Sequence, residues 1–167
     1  MTTDQSITIL KEAILLERRG QVFYHKVAGQ SDHKEIKDFF EMMAREEARH
    51  IEILEEQFAA FVQDRQFGEI GEEISAEAAK ADQVLSSSLK QKISAAEFEA
   101  AAISAAMLME ERAIALYSEQ ARIAEDPNEA VLYRWLADWE RGHLSFLARL
   151  DKEIREAIWN DQQFWPY

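Results

Sequence analysis

Two short segments, Glu47-Ala48-Arg49-His50 and Glu140-Arg141-Gly142-His143, place a carboxylate three residues before an imidazole. On a helix, residues at i and i+3 share a face, so each segment presents a hard oxygen donor beside a nitrogen donor. That is the start of a metal site built without thiolate. A single Glu-x-x-His means little in a chain with 32 acidic residues, but here the pattern is duplicated. Glu17 precedes Glu47 by 30 residues, and Glu110 precedes Glu140 by the same 30. Tyr24 follows Glu17 by seven residues, as Tyr117 follows Glu110. An offset of 93 carries Glu17, Tyr24, Glu47, His50 and Leu54 onto identical residue types. Arg19 and Arg112, Ala28 and Ala121, and Ala44 and Ala137 obey it too. The chain therefore reads as two copies of one hairpin about a pseudo-two-fold axis.

The environment of these residues favours a metal site over chance surface placement. Glu17 lies among Ile14, Leu15, Leu16 and Phe23, and Glu110 follows Met107, Leu108 and Met109. Glu47 and Glu140 sit on helices whose inward faces are expected to include Met43, Leu54, Leu136 and Leu147. If those faces meet, four carboxylates converge in a poorly hydrated interior, which is severely unfavourable unless they are neutralised. Two divalent cations cancel four carboxylate charges, and two neutral imidazoles complete the coordination. The expected ligands are Glu17, Glu47, His50, Glu110, Glu140 and His143.

The elements that must position these residues are helices. Only two prolines and five glycines occur in 167 residues, and nearly half of the chain is apolar. Good helix formers dominate, so an all-α domain is expected. The first helix covers about residues 6–28, with Ile7, Leu10, Ile14 and Leu15 in helical register. The second covers 32–62, with capping-box spacing between Asp32 and Glu35. The third covers 94–125 and starts with the same spacing from Ser94 to Glu97. The fourth covers 126–159, with Asp126 as cap, Pro127 at the first helical position and Glu129 completing the box. Short connections make each pair an antiparallel hairpin. A long crossover, 63–93, in which 74–85 could form a further helix, joins the hairpins into a four-helix bundle. A short aromatic tail, 160–167, closes a single domain.

Composition excludes several functions. With no cysteine there is no disulfide, iron–sulfur cluster or Cys nucleophile. A net charge of −13 disfavours nucleic acid and anionic lipid as partners. The first residues lack the basic and apolar regions of a signal peptide, and no apolar stretch is long enough for a membrane span. A cytoplasmic protein is expected.

One Glu on each of two helices, with Glu-x-x-His on each of the other two, resembles the ferritin-like di-iron carboxylate proteins. Within that superfamily the duplicated hairpin, the compact length and the Glu17–Tyr24 spacing are most similar to the erythrin domain of rubrerythrins, over residues 6–159. The resemblance implies a ferritin-like bundle holding two iron ions, although the same donors also suit manganese or zinc. It implies that Glu47 and Glu140 bridge the metals, with Glu17 and His50 terminal on one and Glu110 and His143 on the other. It further implies an oxidoreductase that reduces hydrogen peroxide or dioxygen, of peroxidase or ferroxidase type. The absence of cysteine means no rubredoxin-like domain in this sequence, so an external electron donor is expected. One turn either side of Glu110, where rubrerythrins carry an additional carboxylate, this chain has Met107 and Ala113.

Tyr24 and Tyr117 lie two turns from Glu17 and Glu110 on the same faces. They could donate hydrogen bonds to ligand carboxylates or pass electrons, or simply be buried tyrosines with satisfied hydroxyls. Gly142 marks either close packing beside His143 or an ordinary surface position. His25 and His33, which have no counterpart in the repeat, read as surface histidines. Trp135 and Trp139 suit the core, while Trp165-Pro166-Tyr167 suits an interface, and a homodimer is expected. Competing readings are a di-iron hydroxylase acting on an organic substrate, iron storage, and a non-enzymatic metal-binding helical module.

Overall fold

The computed structural model describes residues 3–32, 34–70 and 97–161. Four helices account for most of them: α1 (Thr3–Gln30), α2 (Lys34–Asp64), α3 (Glu97–Ile123) and α4 (Pro127–Asp161). α1 packs along α2 and α3 along α4, giving two antiparallel hairpins in a ferritin-like four-helix bundle. Among the described residues no helix is long and apolar enough to cross a membrane. The expected 74–85 helix, the Ser94 cap, His33 and residues 162–167 of the aromatic tail fall outside the described residues, while Asn160 and Asp161, expected in the tail, belong to α4.

The helix ends have local causes. Asp126 Oδ1 accepts hydrogen bonds from the amides of Asn128 (2.8 Å) and Glu129 (3.4 Å), so the cap lies where the sequence places it. Pro127 is the first helical residue. α2 stops at Arg65, whose φ of 60° is left-handed. Its amide bonds back to the Phe61 carbonyl, a termination usually left to glycine. The segment that follows is fastened to the α3–α4 turn, where Asn128 Nδ2 donates to the Phe67 carbonyl.

Burial follows a strict register. On α1 the inward positions are Leu10, Ala13, Glu17, Gly20, Tyr24 and Val27, alternating steps of three and four as packed helices require. On α3 they are Ile103, Ala106, Glu110, Ala113, Tyr117 and Gln120, each displaced by the repeat. The same register corrects one expectation. Leu15 and Leu108, each two residues before its inward glutamate, are 53 % and 59 % exposed. Leu15 therefore lies off the core face.

The buried apolar residues form two clusters. One contains Tyr24, Phe39, Phe40, Met43, Ile103 and Phe146, and the other contains Leu10, Leu54, Tyr117, Leu132, Tyr133 and Leu136. On α1, Leu10 precedes Glu17 and Tyr24 follows it. On α2, Phe40 precedes Glu47 and Leu54 follows it. The polar layer thus lies between two apolar plugs, which exclude water from both ends of the bundle.

Candidate metal centre

Each helix brings an inward carboxylate to mid-bundle. Glu17, Glu47, Glu110 and Glu140 are at most 3 % exposed, and His50 and His143 are at most 1 % exposed. Their donor atoms form two groups, each lying within 4.8 Å of one another. The first comprises Glu17, Glu47, His50 and Glu140, and the second comprises Glu47, Glu110, Glu140 and His143. Glu47 and Glu140 belong to both. All six residues expected from the repeat are therefore brought together.

The imidazoles turn Nδ1 inward. His50 Nδ1 lies 3.1 Å from Glu17 Oε2, 2.9 Å from Glu140 Oε1 and 3.5 Å from Glu47 Oε2. His143 Nδ1 lies 2.9 Å from Glu140 Oε2 and 3.8 Å from both Glu47 Oε1 and Glu110 Oε1. Glu140 Oε1 is buried and, despite its proximity to His50, no hydrogen bond is aligned on it among the described residues.

Electrostatics show what the cluster demands. Burial, then the neighbouring Glu140 charge, pushes the Glu47 and Glu110 carboxyls well above the ordinary range. Burial would lower His50 and His143, but Glu140 and the surrounding carboxylates outweigh it and raise both. Burial would raise Glu140, yet the two adjacent imidazoles hold it well below the usual range. With no metal, protons supply the missing positive charge. Four carboxylates and two imidazoles with inward donors fit a pair of divalent cations, which would replace those protons.

The tyrosines cross between the hairpins. The Tyr24 hydroxyl donates to Glu110 Oε1 and the Tyr117 hydroxyl donates to Glu17 Oε1. Each tyrosine thus restrains the carboxylate of the opposite repeat, not the one on its own helix. Burial, then those carboxylates, raises both phenols well above their ordinary range, so they remain protonated donors.

Two features escape sequence reasoning. Glu46 reaches across to His143, its Oε2 2.5 Å from Nε2. Burial would raise the Glu46 carboxyl, but the hydrogen bond and charge of His143 lower it below its usual value. Gly20 is the close approach: a Cβ there would stand 3.3 Å from Glu47 Cδ. At Gly142 the same atom would meet open space, which settles that residue as a surface glycine. The only signal for Gly20 is its place on the α1 stripe, three residues after Glu17. His25 is an exposed histidine 3.2 Å from Glu41. Trp139 is buried and Trp135 partly so, as suits core packing.

An opening between α1 and α3, lined by Leu16, Gly20, Met109 and Ala113, reaches Glu17, Glu47 and Glu110. Its free volume for the centre of a water-sized molecule is about 10 Å³, roughly one water.

The family model described as Rubrerythrin matches residues 8–151 of the chain. No curated protein and no solved structure matches it.

Proposed function

Since the chain belongs to the rubrerythrin family, we propose that it is a two-iron oxidoreductase in which Glu17, Glu47, His50, Glu110, Glu140 and His143 hold the metals. The observation that carries this reading is the pair of buried donor groups sharing Glu47 and Glu140. Two ions held there would share those two carboxylates, and each would have one further glutamate and one histidine of its own. An iron pair held there would supply the two electrons that reduce hydrogen peroxide or dioxygen, with a separate reductant returning them.

The chain's own part is positional and electrostatic. Tyr24 and Tyr117 hold Glu110 and Glu17 in place by hydrogen bonds from the opposite repeat. The two apolar clusters exclude bulk water from the carboxylate layer. The opening beside Gly20 and Ala113 has room for about one water, which suits peroxide or dioxygen better than a bulky organic substrate.

Anaerobic loading with Fe(II), followed by stopped-flow mixing with peroxide and separately with dioxygen, tests the proposal. Oxidation of two irons per chain is expected, and faster oxidation by peroxide identifies a peroxidase. Lack of reaction with both oxidants would leave a non-enzymatic metal-binding module. The expected homodimer is checked by the mass of the protein in solution.

A further inference from the structure

The positions immediately before the two Glu-x-x-His segments break the repeat. Glu46 precedes Glu47, whereas Trp139 precedes Glu140. Both side chains reach the histidine of the opposite hairpin. Glu46 Oε2 lies 2.5 Å from His143 Nε2. Trp139 packs edge-on against His50, with ring centroids 5.3 Å apart and planes at 87°, and Trp135 adds a second wall at 5.7 Å.

The outer nitrogens therefore differ. With Nδ1 turned inward, Nε2 carries the hydrogen of each neutral imidazole. At His143 that hydrogen is donated to a carboxylate. Trp139 Nε1 also lies 3.1 Å from the same Nε2, a contact that donates to the ring only in the tautomer with Nε2 unprotonated, so with Nδ1 turned inward the Glu46 carboxylate is the acceptor for the outer N–H. At His50 the Nε2 is fully buried and has no hydrogen-bond partner among the described residues. A carboxylate on the outer N–H fixes the ring orientation and makes the inner nitrogen a stronger donor. Indole walls do neither.

We propose that the two metal positions are inequivalent, with Glu46 a positioning residue that makes the His143 position the tighter one, filled first, and leaves the His50 position weaker and more labile. This inference rests on the two-metal reading but not on any redox activity.

Calorimetric and spectroscopic titration of the metal-free full chain with Co(II) under anaerobic conditions tests it. Two unequal binding steps are expected. Glu46→Gln should weaken the tight step by about 10- to 100-fold and leave the second nearly unchanged. His50→Ala should retain the tight step and His143→Ala should lose it, with far-UV circular dichroism confirming that each variant is folded. Glu46→Asp, which keeps the carboxylate, should recover part of the lost affinity. Equal steps, equal weakening of both by Glu46→Gln, or survival of the tight step in His143→Ala would overturn the inference while leaving two metals bound. Fewer than two Co(II) ions per wild-type chain would overturn it together with the two-metal reading.

Discussion

The α1–α2 and α3–α4 hairpins share a register along almost their whole buried faces and differ at a few positions that matter. Inward residues on α1 and α3 correspond one for one, and Met43, Ala44, Glu47, His50 and Leu54 on α2 correspond to Leu136, Ala137, Glu140, His143 and Leu147 on α4. Against that background Gly20 stands where its counterpart is Ala113, and Glu46 where its counterpart is Trp139. The shared part gathers equivalent carboxylates and imidazoles into two donor groups that have Glu47 and Glu140 in common. The divergent part gives each half its own surroundings. A duplicated scaffold sets the number and type of donors, and single substitutions around it decide how alike the two positions are.

The largest expected effect tests the shared part. Glu47→Ala or Glu140→Ala should each abolish the two-metal centre, read as metal per chain after anaerobic loading. Retention of two metals would refute the bridging roles. Losing two metals from one variant and only one from the other would show that the bridges are not equivalent.

Proton release is the next effect. Glu47, Glu110, His50 and His143 all titrate above their ordinary values without metal. Groups whose pKa is raised hold protons at neutral pH, and an incoming cation must displace them. Metal affinity should therefore rise with pH, by about tenfold per pH unit for each proton displaced, until those groups are deprotonated. Calorimetry in buffers of different ionisation enthalpy counts the protons. Uptake of protons on binding, or affinity independent of pH, would contradict this account.

A smaller effect probes the crossing tyrosines. Tyr24→Phe and Tyr117→Phe each strip a hydrogen bond from a buried carboxylate, at an expected cost of about 1–3 kcal/mol in denaturant unfolding of the metal-loaded protein. Near-equal costs would preserve the symmetry of this pair, and a large difference would extend the asymmetry beyond Glu46 and Trp139.

The glycines give the smallest effect. Gly142→Ala enters open space on a helix and should stabilise the metal-free protein by about 0.5–1 kcal/mol. Gly20→Ala presses a methyl group against Glu47 and should gain less and weaken metal binding. If thermal unfolding and metal titration give the same result for both, Gly20 has no special part in the centre.

The clustering of the six carboxylates and imidazoles was legible because their spacing is a helical property: i and i+3 share a face whatever the helix packs against, and the repeat shows that the face is used twice. The four helices were legible from caps and periodicity, and Asp126 shows that reading at atomic detail. Leu15 was misassigned because an apolar residue next to an inward glutamate can fall on either side of the stripe, and only the neighbouring helix decides which side is covered. Glu46 was invisible for a similar reason: in a chain with so many glutamates, a carboxylate beside a ligand looks like solvated surface until the opposite hairpin places His143 Nε2 against it.

By itself, then, the sequence determined the helical architecture, the doubling of the hairpin and the donor types, since these follow from contacts within a few turns of one helix or from comparison of one segment with another. Tertiary structure alone decided which side chains meet across the bundle: Tyr24 with Glu110, Tyr117 with Glu17, Glu46 with His143, and His50 with two indoles. Those pairings depend on the rotation and depth at which one helix packs on another, and side-chain shape summed over both apolar clusters fixes that geometry.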